Sequence, residues 1–210
     1  PLDASQTPGP QDVPVAAREP FPQFLDALRQ EALAAGIRAE TVQAALGGVE
    51  LLPVVLERDR SQAEFTLTLP QYVTRRLTPA MVRLAQRHAR AQKTLLSRVE
   101  RAHHVPASVL VAVWGLESNF GRFSGVRPTI QALTTLVYEG RRAALFKAEL
   151  LDALRIVDRG DIELARLKGS WAGAMGQPQF LPSSYLKYAQ DFDGDGRRDI
   201  WSSLPDVLAS

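Results

Sequence analysis

Residues Val109 to Leu116 constrain this chain more than any other stretch. They are apolar apart from Gly115, and Glu117-Ser118-Asn119-Phe120-Gly121 follows at once. An uninterrupted apolar run of this kind is expected to form a buried helical segment. Pro106 suits its first turn, where the missing N–H would have no partner in any case. A Glu is rarely buried without a partner. At the mouth of an apolar helix its charged form is desolvated, which raises its pKa. A general acid working near neutral pH needs that shift. The alternative is a Glu that turns outward at a helix end.

The rest of the chain supports a folded protein around that helix. It has 210 residues, enough for one large domain or one and a half ordinary ones. Its 45% hydrophobic and 23% charged residues are the balance of a soluble protein with a real core. No run is long enough to span a membrane, and no secretory apolar region is present, so export would require a targeting segment already removed. The absence of Cys excludes disulfides, thiol catalysis and Cys-bound zinc. A net charge of +2 leans toward an anionic partner but is too small to argue for nucleic acid.

Residues 1–22, rich in Pro, Gln, Ser and Gly, read as a flexible linker. Phe24, Leu25, Leu28 and Ala32 recur at helical spacing up to Gly36, and a second short helix is expected over Ala39 to Leu46. Leu51 to Leu69 lacks clean periodicity and reads as a surface wrap with Phe65 tucked in. Thr78-Pro79 predicts one long basic helix to about His103, with Leu84, Leu95, Leu96 and Val99 inward and Arg83, Arg87, Arg90, Lys93 and Arg98 in solvent. His103 and His104 are adjacent, which makes a poor metal pair. Further helices are expected over Thr129 to Tyr138, Arg142 to Val157, Asp161 to Lys168, from Pro182 through Tyr188 and from Leu204. No segment alternates well enough to predict a strand. An apolar helix ending at Ala209-Ser210 suggests that folded protein continues.

Two further stretches carry chemistry. Ser170-Trp-Ala-Gly-Ala-Met-Gly-Gln-Pro-Gln179-Phe180 combines small residues, which admit close backbone approach, with apolar Trp171, Met175 and Phe180 and polar Ser170, Gln177 and Gln179. That mix suits a sugar, with flat apolar faces and hydroxyls to fix; the alternative is a tightly packed loop beneath the core. Asp191-Phe-Asp193-Gly-Asp195-Gly196-Arg197-Arg198-Asp199 matches the first half of an EF-hand loop. Three Asp at alternate positions would repel without a cation. The twelfth position is Ser202 rather than the bidentate Glu, so Asp206 would have to swing in. The alternative is a plain Asp/Gly turn.

These stretches, in this order, resemble the lytic murein transglycosylases of the B family from about Phe65 onward. The most specific parts are Trp114-Gly-Leu-Glu117-Ser-Asn-Phe-Gly, Gly140-Arg141-Arg142, Gly169-Ser-Trp-Ala-Gly-Ala-Met-Gly, Gln179-Phe-Leu-Pro-Ser-Ser-Tyr185 and the Asp-rich loop before Ile200-Trp201. The resemblance implies a mainly α fold: a lysozyme-like helical catalytic core, a helical flanking region and a small insert carrying an EF-hand-like loop. It divides the chain into a helical region at 23–104 and a catalytic core at 105–210, with the loop at 191–202 and the family's domain running on past Ser210. It places Glu117 on the catalytic acid/base. Ser170 and Gln179 fall on residues lining the sugar subsites near it; Met175 and Phe180 are substrate contacts only on the loop's own mix of residues. Arg141 and Arg142 fall on a basic pair reaching toward the glycan or its peptide. Asp191, Asp193, Asp195 and the Arg197 carbonyl fall on ligands of a structural Ca2+, with Asp206 displaced from the pattern.

The implied activity cuts peptidoglycan glycan strands between N-acetylmuramic acid and N-acetylglucosamine, leaving a 1,6-anhydro ring. It needs no organic cofactor and no nucleic acid. The resemblance further implies a place outside the cytoplasm, in the periplasm; a monomer is expected, either free or attached to the outer membrane through a removed N-terminal lipoprotein segment. A hydrolase would need a second carboxylate, for which Glu139 is a candidate, although it could equally be a surface residue at a helix end. A non-catalytic, calcium-stabilised glycan-binding module is the other alternative.

Overall fold

The computed structural model describes residues 19–61 and 68–210; the linker up to residue 18 and Phe65 lie outside them. The first helix, α1 (Phe21–Ala34), starts inside the expected linker, with Pro20 as its N-cap and Pro22 in its first turn. Leu25, Leu28 and Ala32 form its buried stripe, and Gly36 ends it at φ +84°. Helices α2 (Ala39–Leu46), α3 (Pro53–Ser61) and α4 (Leu69–Arg76) follow. Part of the expected surface wrap is thus helical, with Val55 and Asp59 buried on α3.

The long basic helix is two helices, α5 (Pro79–Ala91) and α6 (Lys93–His103). Gln92, at φ −104° and ψ 18°, breaks it. Leu96 and Val99 of α6 are buried; Leu84 and Leu95 are half-buried, and the five named cations are exposed. Then come α7 (Ala107–Ser118), α8 (Thr129–Glu139), α9 (Ala143–Asp158), α10 (Pro182–Tyr188) and α11 (Leu204–Ala209). Pro106 is the N-cap of α7 rather than its first residue. In place of a helix from Asp161 to Lys168 there is one 3-10 turn, Leu164–Arg166. Lys168–Gly169 forms a two-residue strand, β2, antiparallel to β1 (Arg127–Pro128). Strands this short leave no alternation to read. Their close approach is fixed by Gly125, at φ +97°: an added Cβ would lie 2.0 Å from the Gly169 carbonyl carbon.

The packing forms two cores. The larger gathers α1, α2, α3, α8, α9 and α10, with Leu133, Leu150, Ala153, Leu154 and Ile156 fully buried. Two buried threonines of α8 satisfy their hydroxyls on the preceding turn, Thr134 donating to Ile130 O (2.8 Å) and Thr135 to Gln131 O (2.8 Å). The smaller core joins α6, α7 and α11 through Leu96, Val99, Val111, Trp114, Phe120, Val207 and Leu208, with Met81, Leu84 and Ala85 of α5 against it. Both cores draw residues from either side of positions 104–105. The two stretches expected as separate regions therefore fold onto one another.

Candidate active site

The α7 helix is apolar on every side, yet it buries only Val111, Trp114, Gly115 and Ser118. At 100° per residue those positions share one stripe. Val109, Val113 and Leu116 are exposed on the opposite face, 46%, 49% and 38% respectively. Glu117 lies between that face and the buried stripe and is exposed too. The expected burial of the whole run is corrected here: α5 and α6 cover a single stripe of α7, and Glu117 turns outward, the second of its two readings.

The turn after Glu117 is unusual. Asn119, Phe120 and Gly121 are all left-handed, at φ 50°, 60° and 79°. For a Phe this conformation is strained. The ring repays it in contacts, lying edge-on to Trp114 (5.2 Å between centroids) and stacked on His88 (4.5 Å). Ser118, fully buried, donates its hydroxyl to Trp114 O (3.2 Å) and accepts from Gly121 N–H (3.0 Å). Burial, then Arg122 and Arg87, hold the His88 imidazole below the usual histidine range, which favours the uncharged ring in this aromatic stack.

The second stretch closes on itself through backbone bridges, Gly169 to Met175 and Met175 to Phe180. Met175 is completely buried. Its side chain belongs to the core and cannot touch a ligand, which corrects its place among the sugar contacts. Ser170 Oγ accepts from the N–H groups of Ala172 (3.2 Å) and Ala174 (3.1 Å). Both lone pairs are then used, and its proton remains to donate. Gln179 is held left-handed at φ 54°. Its amide NH2 donates to Ser124 O (3.2 Å) and Gly176 O (2.8 Å), leaving its carbonyl oxygen as an acceptor. Ser170 and Gln179 therefore offer a complementary donor and acceptor, and Phe180 is half-buried near them in the chain.

Gln177 joins this loop to the helix. Its Oε1 accepts from Trp114 Nε1–H (2.7 Å), three residues before Glu117, and its Nε2 donates to Trp201 O (3.0 Å). Arg141 and Arg142 have an intramolecular partner, the buried Asp59 of α3. Arg142 reaches its carboxylate at 2.5 Å, and Arg141 reaches the Asp59 carbonyl at 3.0 Å. Beside them Arg60 bonds Glu139 at 2.9 Å. Glu139 is buried, 6% exposed, so it is neither a surface residue nor a carboxylate open to a sugar.

In the third stretch, Asp191, Asp193 and Asp206 bring one carboxylate oxygen each within 4.8 Å of one another. Asp206 does swing in, fully buried, accepting from Phe192 N–H and Asp199 N–H (both 2.8 Å). Burial raises its carboxyl above the usual range. Asp191 accepts from the backbone N–H groups of Gly194, Asp195 and Gly196. Asp195 stands outside the trio and accepts from Arg197 N–H (2.8 Å).

Residues 20–210 match the family model described as the transglycosylase SLT domain. The chain belongs to this family. It is 32% identical over 198 residues to the membrane-bound lytic murein transglycosylase B of Escherichia coli (strain K12), covering 90% of this chain and 54% of that protein. The crystal structure of SltB3 from Pseudomonas aeruginosa in complex with NAG-NAM-pentapeptide superposes with a TM-score of 0.87 at 47% identity, over 91% of this chain and 51% of that one. The Escherichia coli lytic transglycosylase SLT35 in complex with calcium gives 0.77 at 31% identity, over 92% and 61%. The chain thus has the helical, lysozyme-like fold of the lytic transglycosylases and spans about half the length of the relatives it matches.

Within this transglycosylase domain, Asp59, His88 and the bridging role of Gln177 were not legible beforehand. Asp59 sits in a charged run that reads as surface. His88 lies between arginines on a helix whose break was not visible. Gln177 was legible only as a polar group in the sugar-like loop.

Proposed function

We propose that this chain is the catalytic region of a peptidoglycan lytic transglycosylase in which Glu117 is the single acid/base. One observation carries the reading: an exposed Glu117 stands at the end of a helix tied, through Trp114 and Gln177, to the loop where Ser170 has a proton and Gln179 an oxygen to spare. Structures of the relative SltB3 in complex with NAG-NAM-pentapeptide and with NAG-anhNAM-pentapeptide support the reading, since the two ligands differ by the anhydro sugar it calls for.

Protonated Glu117 donates to the glycosidic oxygen as the bond to C1 of the muramoyl residue breaks. The resulting carboxylate takes the proton from the C6 hydroxyl, whose oxygen attacks C1 and closes the 1,6-anhydro ring. Glu117 ends protonated again and no water is consumed. The substrate's N-acetyl group stabilises the cationic centre. Ser170 and Gln179 fix sugar hydroxyls, Phe180 supplies apolar surface, and the donors of Arg141 and Arg142 not spent on Asp59 meet the glycan or its peptide. A single carboxylate suffices, which agrees with the burial and pairing of Glu139.

The carboxylates of Asp191, Asp193 and Asp206 would hold a calcium ion, and Asp195, outside that trio, and the Arg197 carbonyl are the further oxygen donors proposed for it. The ion would neutralise their charge and order the loop, with no part in the proton transfers. The enzyme acts in the periplasm, which the membrane-bound Escherichia coli relative supports. Among the described residues no helix is long and apolar enough to cross a membrane.

Glu117→Gln tests the assignment. Gln keeps the shape but can neither donate a proton nor accept one as a carboxylate does. Glycan binding should persist while turnover falls on the order of a hundred- to ten-thousandfold. Turnover within a few-fold of wild type would remove Glu117 from the chemistry.

A further inference from the structure

We infer that Gln177 is a positioning residue that sets Glu117 against the Ser170–Gln179 loop; the inference rests on Glu117 being the acid/base. Three connections meet at its side chain and backbone. Its Oε1 accepts from the Trp114 indole (2.7 Å), its Nε2 donates to Trp201 O (3.0 Å), and its own N–H donates to Ile200 O (2.9 Å). An indole N–H can only donate and a backbone carbonyl can only accept, so the amide has one orientation that serves both. Gly121, in the left-handed turn after Glu117, lies directly on this amide. A Cβ there would sit 2.5 Å from Gln177 Oε1, at a φ of +79° that already demands glycine.

The amide therefore fixes the height of the α7 end relative to two other segments. One is its own loop, which continues to Gln179. The other is Ile200–Trp201, which closes the Asp-rich loop: Asp199 accepts from the N–H groups of Trp201 (2.9 Å) and Ser202 (2.8 Å). Gln177 thus links the Asp-rich loop to the Glu117 helix, beside the apolar contacts they share. Its Oε1 and one Nε2–H are engaged by protein groups, and these bonds act on the sugar through Glu117 and the loop. Displacing a catalytic group by about an ångström can cost on the order of a hundredfold in rate.

The test uses the complete protein, glycan strands of peptidoglycan, and three variants: Glu117→Gln, Gln177→Leu and Gln177→Glu. Gln177→Leu removes both bonds. Its kcat should fall about ten- to a hundredfold with KM changed by less than about threefold. Gln177→Glu keeps the bond from Trp114, but when ionised it sets an oxygen against the Trp201 carbonyl. Protonated, it donates and accepts as Gln does. Its kcat relative to wild type should therefore recover as pH falls, whereas the ratio for Gln177→Leu stays flat. If Gln177→Leu does not fold, the pH series of Gln177→Glu decides. An inactive Glu117→Gln beside a Gln177→Leu with wild-type kcat, or a Gln177→Glu ratio independent of pH, would overturn the positioning role alone. An active Glu117→Gln would overturn the acid/base reading and the positioning role with it.

Discussion

At the scale of single residues, the site depends on polar atoms whose partners exhaust them. Ser170 spends both lone pairs and keeps a proton; Gln179 spends both amide protons and keeps an oxygen. Tyr185 is a structural example under the same loop. It is completely buried, and its hydroxyl donates to Arg198 O (3.0 Å). Burial, with Asp161 nearby, pushes the phenol up to about 12, so it stays a neutral donor throughout the working range. Tyr185→Phe keeps the ring and leaves the Arg198 carbonyl without this donor. It should lower stability by about 1–3 kcal/mol, measured by denaturant unfolding, with the kind of glycan product unchanged.

At the scale of elements, charges at helix ends hold separate parts of the chain together. Asp158 is the last residue of α9, where a negative charge is unfavourable. It lies at the N-terminus of α2, where one is favourable, bonded by Thr41 Oγ1 (2.5 Å), Arg38 N–H (3.3 Å) and Arg38 Nε (2.9 Å). The Thr41 hydroxyl first, then Arg38, hold the Asp158 carboxyl below its ordinary value. A depressed carboxyl stabilises the fold above the unfolded pKa of about 3.9 and loses that contribution as pH falls through the folded value. Asp158→Asn should therefore melt below wild type at neutral pH, and the gap should close as the buffer is taken below about pH 4. The helices themselves were largely legible, because their signals are local: Thr78-Pro79 for α5, the Leu25–Leu28–Ala32 stripe for α1, Gly36 and Gly160 for stops. The break at Gln92 was not, since no Gly or Pro marks it. Nor did the sequence decide whether Glu117 is buried or turned outward, because an apolar helix does not say which side its neighbours will cover. The Trp114–Gln177 and Asp59–Arg142 bonds join residues 63 and 83 positions apart, a distance at which periodicity carries no information.

At the scale of the whole molecule, α7 belongs to the smaller core and is joined through Gln177 to the Ser170–Gln179 loop and to Trp201, which follows the acidic loop. The acidic loop gathers Asp191, Asp193 and Asp206 at distances that suit an ion, and a ligand bound only by the folded state stabilises it by mass action. Calcium at about a hundred times its dissociation constant should raise the melting temperature by roughly 5–10 °C. Chelator should lower it, and magnesium, which wants a smaller and stricter octahedron, should substitute poorly. Identical melting curves with calcium and with chelator would leave the stretch an Asp/Gly turn. Ser202 at the twelfth position places the affinity toward the weak, extracellular range. The central claim is that Glu117 alone moves the protons while the substrate's own C6 hydroxyl is the nucleophile. Mass analysis of the products released from intact peptidoglycan by the complete protein tests it most directly. Muramoyl ends carrying the 1,6-anhydro ring, lighter by one water than hydrolysed ends, are the predicted result. Reducing muramic ends alone would contradict it and require a second carboxylate with a water nucleophile.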